Sequence, residues 1–325
     1  MQPADIPLAE IQAAQERLSA WVRPTPLVPF QPPGAPPQVF LKLENLQPGG
    51  SFKLRGAGNA LLKLGAARSQ AGVWTASAGN MGLALAWLAR QMAIPCTVVV
   101  PDNAARTKVA GIASFGARLL EVPFPEYQQI QVNRQPVGQV TGLNGRLVHP
   151  FADPAVIAGN ATIGLEILAD LPDVTTILVP YGGGGLSSGI ALAIKALQPR
   201  VRVLAVEVET AAPFTASYAA GQAVQVPYQH SFVNGIGAPF VFPETWPLAR
   251  QVLDGAITVS LEQVAQAIRL MAHHNHIIAE GAGAVATAAA LSGQAGTGKI
   301  VCLVSGGNID ANPFCTILQG GVPGI

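Results

Sequence analysis

Short apolar runs alternate with glycine-containing turns and helical segments along most of this chain. Residues 73–75, 96–100 and 119–122 have the apolar, often β-branched composition of strands, and residues 81–91 and 106–115 have helical spacing. Strands that alternate with helices are typical of parallel sheets, whose ligands bind at the carboxyl ends of the strands. The pattern therefore predicts an α/β fold with open, twisted, mostly parallel sheets.

The alternation also predicts two structural units of unequal size. A chain of 325 residues can form two domains with substantial cores. Its middle part has enough strands and helices for a small open α/β unit, and a second region opens at Arg146. We therefore expect a small mobile domain at residues 72–145 and a large domain formed by residues 1–71 and 146–325.

The composition excludes several classes of partner. Hydrophobic residues make up 50% of the chain and charged residues only 11%, against about 25% charged residues in typical soluble domains. A net charge of +1 creates no field that would attract nucleic acid or an anionic membrane. The most apolar long segment, residues 82–101, is interrupted by Arg90 and Gln91 and does not fit a membrane span. We expect neither a nucleic-acid partner nor a membrane partner.

The cysteines and the N-terminus predict a cytoplasmic location. Cys96, Cys302 and Cys315 are odd in number and widely spaced, which fits free thiols in a reducing compartment. Residues 1–5 contain no basic region that leads into an apolar core, so the sequence predicts no secretory signal.

One lysine lies in a context that is unusual for a surface charge. Lys53 stands within residues 49–56, among glycines and next to the flat apolar face of Phe52, shortly after the strand-like residues 39–43. Glycines let the backbone approach a ligand closely. An amine held in such a pocket loses hydration, so its pKa falls and it becomes a nucleophile able to form a Schiff base. Lys53 is therefore a candidate catalytic residue.

Four consecutive glycines at residues 182–185 follow one predicted strand and open a predicted helix. Convergent backbone N–H groups and the positive end of a helix suit a phosphate group. A dinucleotide-binding loop would use Glu207 at the end of the next strand, but the third glycine of its pattern is missing. A hydrolase would use Ser187 in a G-x-S-x-G pattern, but the strand ends too early. Neither alternative explains Lys53.

Two further stretches supply what a pyridoxal phosphate site requires. Residues 77–82 lie where a strand meets a helix, so backbone amides can hold a substrate carboxylate there and Asn80 can donate to a ring oxygen. A simple helix cap explains Asn80 nearly as well. Ser305 follows the strand-like residues 300–304. A serine hydroxyl bonds to a pyridine nitrogen without protonating it, and the weaker electron sink favours prompt β-elimination.

Two other features have simpler explanations. His273, His274 and His276 end a predicted helix, where the helix dipole favours imidazolium, and they have no cysteine or acidic partner at ligand spacing. We therefore expect no zinc site. Glu280 is either an acid at a helix start or a pocket residue near the cofactor, and the sequence favours neither interpretation.

Together these features resemble the fold type II pyridoxal phosphate enzymes, and more narrowly the serine/threonine dehydratase and serine racemase family. Several segments spread over nearly the whole chain carry the resemblance: residues 23–27, 41–47, 51–56, 147–153, 154–159 and 304–308. It implies a fold like that of the tryptophan synthase β subunit, with pyridoxal 5′-phosphate bound by the large domain. We also expect a homodimer whose substrate is an amino acid, a small molecule.

The resemblance implies roles for individual residues. Lys53 would carry the cofactor as a Schiff base and remove the Cα proton, and Phe52 would pack on the cofactor ring. Asn80 would bond the ring hydroxyl and Ser305 the pyridine nitrogen. Further cofactor contacts are implied at Gly182, Gly183, Gly184, Gly185, Leu186, Gly235, Glu280 and Gly306. Substrate contacts are implied at Ser77, Ala78, Gly79, Asn80 and Met81.

Three departures from the family pattern narrow the expected reaction. Ala78 stands where racemases carry a second serine as the base on the opposite face, which favours dehydration over racemisation. A family metal site would begin at Glu207, but Pro213 stands where a second acid is expected, so Glu207 is a candidate metal ligand at an incomplete site. Met81 stands where histidine is frequent and would offer the substrate an adaptable apolar wall.

We therefore expect a dehydratase, or ammonia-lyase, that acts on threonine or a phenylserine-like substrate in amino-acid catabolism and releases a 2-oxo acid and ammonia. Serine would be a poorer substrate. A serine racemase, or another lyase or synthase of the same cofactor fold, is the nearer alternative. A non-catalytic module that binds a nucleotide or an amino acid on the same scaffold is the more distant one.

Overall fold

The computed structural model describes residues 1–36, 38–104, 106–133, 143 and 145–324, so the remaining positions of the two predicted domains lie outside the described residues. In chain order the strands are β1 Leu27–Pro29, β2 Val39–Leu43, β3 Val73–Ala76, β4 Cys96–Pro101, β5 Arg118–Val122, β6 Arg146–Leu147, β7 Thr176–Pro180, β8 Arg202–Val208, β9 Ala256–Val259 and β10 Ile300–Val304. The central strands β7 and β10 are buried at every position, as expected for parallel strands covered on both faces.

Helices alternate with these strands, as the sequence predicts. They are α1 Leu8–Leu18, α2 Lys53–Ser69, α3 Asn80–Gln91, α4 Arg106–Ser114, α5 Phe124–Asn133, α6 Pro154–Asp170, α7 Gly185–Leu197, α8 Pro213–Ala220, α9 Trp246–Val252, α10 Leu261–Asn275, α11 Gly281–Leu291 and α12 Ala311–Leu318. Among the described residues, no helix is both long and apolar enough to cross a membrane.

A six-stranded sheet in the order β1-β2-β10-β7-β8-β9 forms the larger layer. Neighbouring strands are parallel except for β1, which runs antiparallel to β2. Alternate residues of β10 face two separate cores. Val301 and Leu303 pack with α6 and α7, whereas Cys302 and Val304 pack with α10 and α11. Helices thus cover both faces of the sheet, which confirms the predicted α/β fold with mostly parallel sheets.

The second sheet has four parallel strands in the order β5-β4-β3-β6. The last strand of this sheet, β6, lies beyond the predicted domain boundary. The sequence places Arg146 at the start of the second region, but in the structure Arg146 belongs to this sheet. The Arg146 N–H donates to the Gly72 carbonyl oxygen at 3.1 Å, so backbone pairing holds this segment beside β3. A two-residue strand has too little periodicity to mark such a boundary. The division into small and large domains stays a prediction.

Candidate active site

The site lies where the carboxyl ends of β2 and β10 meet, since these strands are parallel neighbours. The Phe52 N–H donates to the Ser305 carbonyl oxygen at 3.0 Å, and the Gly307 N–H donates to the Gly50 carbonyl oxygen at 2.9 Å. These backbone bonds join two segments that are far apart in sequence. They bring the start of α2, at Lys53, next to the turn that follows β10.

Lys53 is the first residue of α2 and is half-buried. Its Nζ donates to the Pro150 carbonyl oxygen at 2.7 Å and lies 5.1 Å from the centroid of the Phe52 ring. Burial lowers the pKa of the Lys53 amine to about 8, although the nearby Glu280 opposes the shift. The helix dipole also disfavours a positive charge at a helix N-terminus. The amine is therefore neutral at a lower pH than the amine of an exposed lysine.

The four glycines at residues 182–185 pass through a confined space, in which a side chain at Gly183 or Gly185 would overlap its neighbours. A Cβ at Gly183 would overlap the Phe151 ring, and a Cβ at Gly185 would overlap the Phe151 carbonyl oxygen. The Gly235 carbonyl oxygen lies against the loop as well. Only glycine fits in such a confined backbone path.

The glycine loop also has the chemistry of an anion site. Helix α7 begins at Gly185 without a capping side chain, because its N-cap residue is Gly184 in the left-handed conformation (φ 81°). Among the described residues, the N–H groups of Gly182, Gly183 and Gly184 have no acceptor. A phosphate oxygen can accept hydrogen bonds from such N–H groups at the positive end of a helix. The loop therefore fits the phosphate of pyridoxal 5′-phosphate.

Asn80, the first residue of α3, is hydrogen-bonded to two side chains of other segments. Its Nδ2 donates to Glu280 Oε1 at 2.7 Å, and its Oδ1 accepts from Asn308 Nδ2 at 2.9 Å. Glu280 occupies the N-cap position of α11 without capping it, so its side chain is directed to Asn80 instead. Burial raises the pKa of the Glu280 carboxyl to about 7, while Asn80, Lys108 and Lys53 oppose the rise.

The residues expected to bind the substrate lie at the start of α3. Ser77 Oγ accepts from the Gly79 N–H at 3.3 Å, and no side chain caps the helix. Ala78 and Gly79 are both partly exposed. The first turn of α3 therefore has N–H groups that can bind a carboxylate.

Met81 does not form the apolar wall that the sequence predicts. Its side chain is 1% exposed and packs in the core between α2 and α3, in a cluster that includes Leu54 and Leu85. Neighbouring side chains on a helix point in directions about 100° apart, so Met81 faces the core although Asn80 faces the site. The expectation of a substrate-facing Met81 was wrong because adjacency in sequence does not place two helical residues on one face.

Ser305 and Leu186 contribute different groups to the site. Ser305 is 3% exposed, and its Oγ donates to the Ala282 carbonyl oxygen at 3.4 Å. This distance is long for a hydroxyl donor, so a closer acceptor such as a pyridine nitrogen can replace the carbonyl. The Leu186 side chain packs in the apolar core, which leaves its backbone N–H as the group that can contact a cofactor.

The geometry argues against both rival interpretations of the glycine loop. Ser187 is fully buried and its Oγ donates to the Gly184 carbonyl oxygen at 3.3 Å, so it is not the exposed nucleophile of a hydrolase. The two oxygens of Glu207 accept from the N–H groups of Phe214 and Thr215 at 2.9 and 2.7 Å. Glu207 thus caps α8. In the described part of the chain, no group of three or more metal-binding residues is present.

Sequence reasoning did not single out three residues of this site. Phe151 contacts the glycine loop, and the Pro150 carbonyl oxygen accepts from the Lys53 amine. Asn308 donates to the side-chain amide oxygen of Asn80. Each lies within a segment that carries the family resemblance, residues 147–153 or residues 304–308. Membership of those segments was the only signal that could have identified them.

Known proteins share this architecture. A profile of the family described as pyridoxal-phosphate dependent enzyme matches residues 18–306. The L-threonine ammonia-lyase of Thermotoga maritima is 39% identical over 289 residues, which are 88% of this chain and 71% of that protein. The L-threonine ammonia-lyase of Geobacter sulfurreducens is 38% identical over 325 residues, 98% of this chain and 79% of that protein.

A solved structure extends the likeness to three dimensions. The structure of maize serine racemase superposes with a TM-score of 0.84 at 31% identity, and the match covers 96% of this chain and 97% of the racemase. The family profile spans most of the chain, and the residues around Lys53 and the glycine loop fit the cofactor. The chain therefore belongs to the pyridoxal-phosphate dependent enzymes, within the fold type II serine/threonine dehydratase family, and is a pyridoxal phosphate-dependent ammonia-lyase.

Proposed function

We propose that this enzyme removes water from the β-hydroxy amino acid L-threonine and releases a 2-oxo acid and ammonia. The observation that carries the proposal is the Lys53 amine, whose pKa burial lowers to about 8 and whose loop is bonded to the backbone of Ser305. The likeness to two L-threonine ammonia-lyases supports threonine as the substrate.

Lys53 performs the proton transfer in this proposal. Bound pyridoxal phosphate supplies an electron sink that lets a proton leave the Cα of an amino acid. Lys53 would hold the cofactor through Nζ, and its neutral Nζ would accept the Cα proton of the substrate. The lowered pKa keeps Nζ in its proton-accepting form at a lower pH than an ordinary lysine. The Cα–H and Cβ–O bonds are both broken, so the β-hydroxyl and a proton equivalent to the one taken from Cα are lost together as one water. The released enamine takes up one water to give the 2-oxo acid and ammonia.

Three other groups orient the substrate and the cofactor. The uncapped first turn of α3 binds the substrate carboxylate, and Asn80 donates to the ring oxygen of the cofactor. The Ser305 hydroxyl bonds to the pyridine nitrogen as an uncharged group, which supports elimination. Ala78 has no ionisable group, so it provides no second base for racemisation.

Threonine is proposed in preference to a phenylserine-like substrate because two similar proteins are L-threonine ammonia-lyases and the buried Met81 removes the argument for an aryl substituent. The sequence favoured an apolar or aryl substituent through an adaptable apolar wall at Met81, but that side chain is buried in the core. The remaining contacts at the start of α3 come from Ser77, Ala78 and Gly79, all small residues. They favour neither an aromatic nor a charged substituent by themselves.

We further propose a cytoplasmic homodimer in which residues 72–145 form a mobile unit. Leu46 and Ile278 are 53% and 54% exposed. They lie on adjoining segments, because Asn45 Nδ2 donates to the Ile278 carbonyl oxygen at 3.0 Å. Such an exposed apolar pair supports a contact between subunits.

Three free cysteines support a reducing compartment, and the net charge of +1 supports the absence of a nucleic-acid partner.

The test is to incubate the purified enzyme and pyridoxal phosphate with L-threonine, L-serine and L-phenylserine in turn. The measured quantities are 2-oxo acid, ammonia and the enantiomer of the remaining amino acid. We expect equal amounts of 2-oxo acid and ammonia, and the highest kcat/KM for threonine. D-serine that accumulates without 2-oxo acid would assign a racemase instead. A bound cofactor without turnover of any of the three substrates would also overturn the proposal.

A further inference from the structure

A series of hydrogen bonds joins the glycine turn before Lys53 to Asn80. Asn308 Nδ2 donates to the Gly49 carbonyl oxygen at 2.8 Å and to Asn80 Oδ1 at 2.9 Å. Asn80 Nδ2 then donates to Glu280 Oε1 at 2.7 Å. The proposed reaction uses Asn80 but assigns no role to Asn308.

The backbone determines the direction of these bonds. The Gly49 carbonyl oxygen can only accept, so the atom of Asn308 that faces it must be the amide nitrogen. The second hydrogen of that nitrogen faces Asn80, which must therefore present its oxygen. The Asn80 nitrogen is left to face Glu280, whose carboxylate can only accept when it is ionised. One backbone carbonyl thus determines, through Asn308, the orientation of the Asn80 amide.

Packing and polarity both oppose the alternative orientations. A Cβ at Gly50 would lie 2.5 Å from Asn308 Oδ1, so the space beside the Asn308 amide is available only because residue 50 is glycine. If the Asn308 amide were flipped, its oxygen would face the Gly49 carbonyl oxygen, and the hydrogen bond from Asn308 Nδ2 to that carbonyl would be lost. A rotated Asn80 amide would set its oxygen against Glu280 and its nitrogen against the Asn308 nitrogen.

We propose that Asn308 is a positioning residue that holds the Asn80 amide with its nitrogen available to the cofactor. This inference rests on the proposed role of Asn80 at the ring hydroxyl oxygen. Asn80 Nδ2 carries two hydrogens and Glu280 accepts one of them, which leaves one donor for an oxygen of the cofactor. A donor at that oxygen stabilises its anionic form, so it lowers the pH at which the bound cofactor changes its visible absorption band. Without Asn308 the amide can rotate, and that pH rises.

The test is a pH titration of the visible absorption band of the holoenzyme. We expect Asn308→Ala to raise the apparent pKa of the band by roughly one unit, as for the loss of one hydrogen bond to a charged group. Asn80→Ala should raise it at least as far. The double variant should show the shift of Asn80→Ala alone, because Asn308 acts through Asn80. Asn308→Asp keeps the size of the side chain without its N–H donors, so it should also raise the apparent pKa of the band.

Asn45→Ala is the matched control. Asn45 Nδ2 also donates to a backbone carbonyl oxygen, that of Ile278 at 3.0 Å, and its Cβ lies beside Gly307. We expect Asn45→Ala and Asn308→Ala to lower the thermal stability by similar small amounts. The apparent pKa of the visible band should stay unchanged in Asn45→Ala. An unchanged band in both Asn308 variants would overturn the inference, and so would an Asn308→Ala shift that persists in the Asn80→Ala background. The readout does not depend on turnover, so a failure of the proposed threonine reaction is distinguishable from a failure of this inference.

Discussion

Two pairs of helices in this protein differ in how their N-termini are satisfied. Helices α6 and α10 begin behind Asp153 and Ser260, whose side chains accept from first-turn N–H groups at 2.8 and 3.2 Å. Helices α3 and α7 begin behind Gly79 and Gly184, and neither has a capping side chain. These two capped helices belong to the scaffold, whereas these two uncapped helices begin at the site.

In these two pairs of helices, a side-chain cap and an open ligand-binding end are alternatives for the same N–H groups. A side-chain cap typically stabilises a protein by about 1 kcal/mol, and α3 and α7 lack that contribution. Their first N–H groups and their positive helix ends are instead available to a carboxylate and a phosphate. Burial offsets the loss in α7, in which Gly185 to Ile194 are all buried.

The largest expected effect is on the site and comes from Lys53→Ala at the start of α2. Activity toward threonine should fall by at least about 1,000-fold, because the variant loses both the group that holds the cofactor and the proton acceptor. The measurement is 2-oxo acid release, together with the absorption spectrum after addition of pyridoxal phosphate. Lys63→Ala is the control, since Lys63 forms an exposed ion pair with Glu10 at 2.8 Å and should retain activity. A fully active Lys53→Ala enzyme would remove the basis of the proposed mechanism.

A smaller effect is expected when the glycine loop before α7 receives a side chain. In Gly183→Ala the new Cβ would overlap the Phe151 ring, so the loop must move. We expect the affinity for pyridoxal phosphate to fall roughly 10- to 100-fold, in line with an overpacking cost of about 1–3 kcal/mol. Titration of the apoenzyme with the cofactor measures this affinity. Gly111→Ala in α4 is the control, because its Cβ would meet only Leu83 Cδ1 at 3.5 Å, and an equal loss in both variants would contradict the prediction.

The pH dependence of cofactor binding by the apoenzyme tests how the site differs from the scaffold, because it reports the pKa of the Lys53 amine. Only the neutral amine attacks the cofactor, and the Lys53 pKa is lowered from its ordinary 10.5 to about 8. The capture rate of the apoenzyme should therefore rise with pH up to about 8 and then level off. Glu280→Gln removes a charge that raises the pKa of Lys53, so its rate should level off at a lower pH. Stopped-flow absorbance measures both profiles, and a rate that still rises above pH 10 would show an ordinary lysine.

The smallest expected effect is on the scaffold. Ser260→Ala removes the cap of α10 and should lower the free energy of unfolding by about 1 kcal/mol, without a change in cofactor affinity. Urea denaturation and cofactor titration measure the two quantities. Ser19→Ala is the control, because the Ser19 Oγ bonds to the Glu16 carbonyl oxygen at an exposed helix end and should contribute less. A weaker cofactor affinity in Ser260→Ala would show that capped helices also shape the site.

Features encoded within a few neighbouring residues could be predicted from the sequence. The caps at Asp153 and Ser260 are examples, since a capping side chain and the N–H group that it satisfies are two or three residues apart. The sequence predicted no elements between Glu207 and Ser260, where the structure has α8, α9 and β9. These elements are too short to show a clear period.

The sequence by itself determined the α/β class, the reactive context of Lys53 and the glycine loop, because each depends on local composition and spacing. Only the tertiary structure decided that Met81 faces the core and that Glu280 and Asn308 meet Asn80. It also placed β10 between β2 and β7, which brings the turn after β10 to the start of α2. The physical reason is that strand order and side-chain orientation follow from how distant segments pack together, and no local period in the sequence encodes that packing.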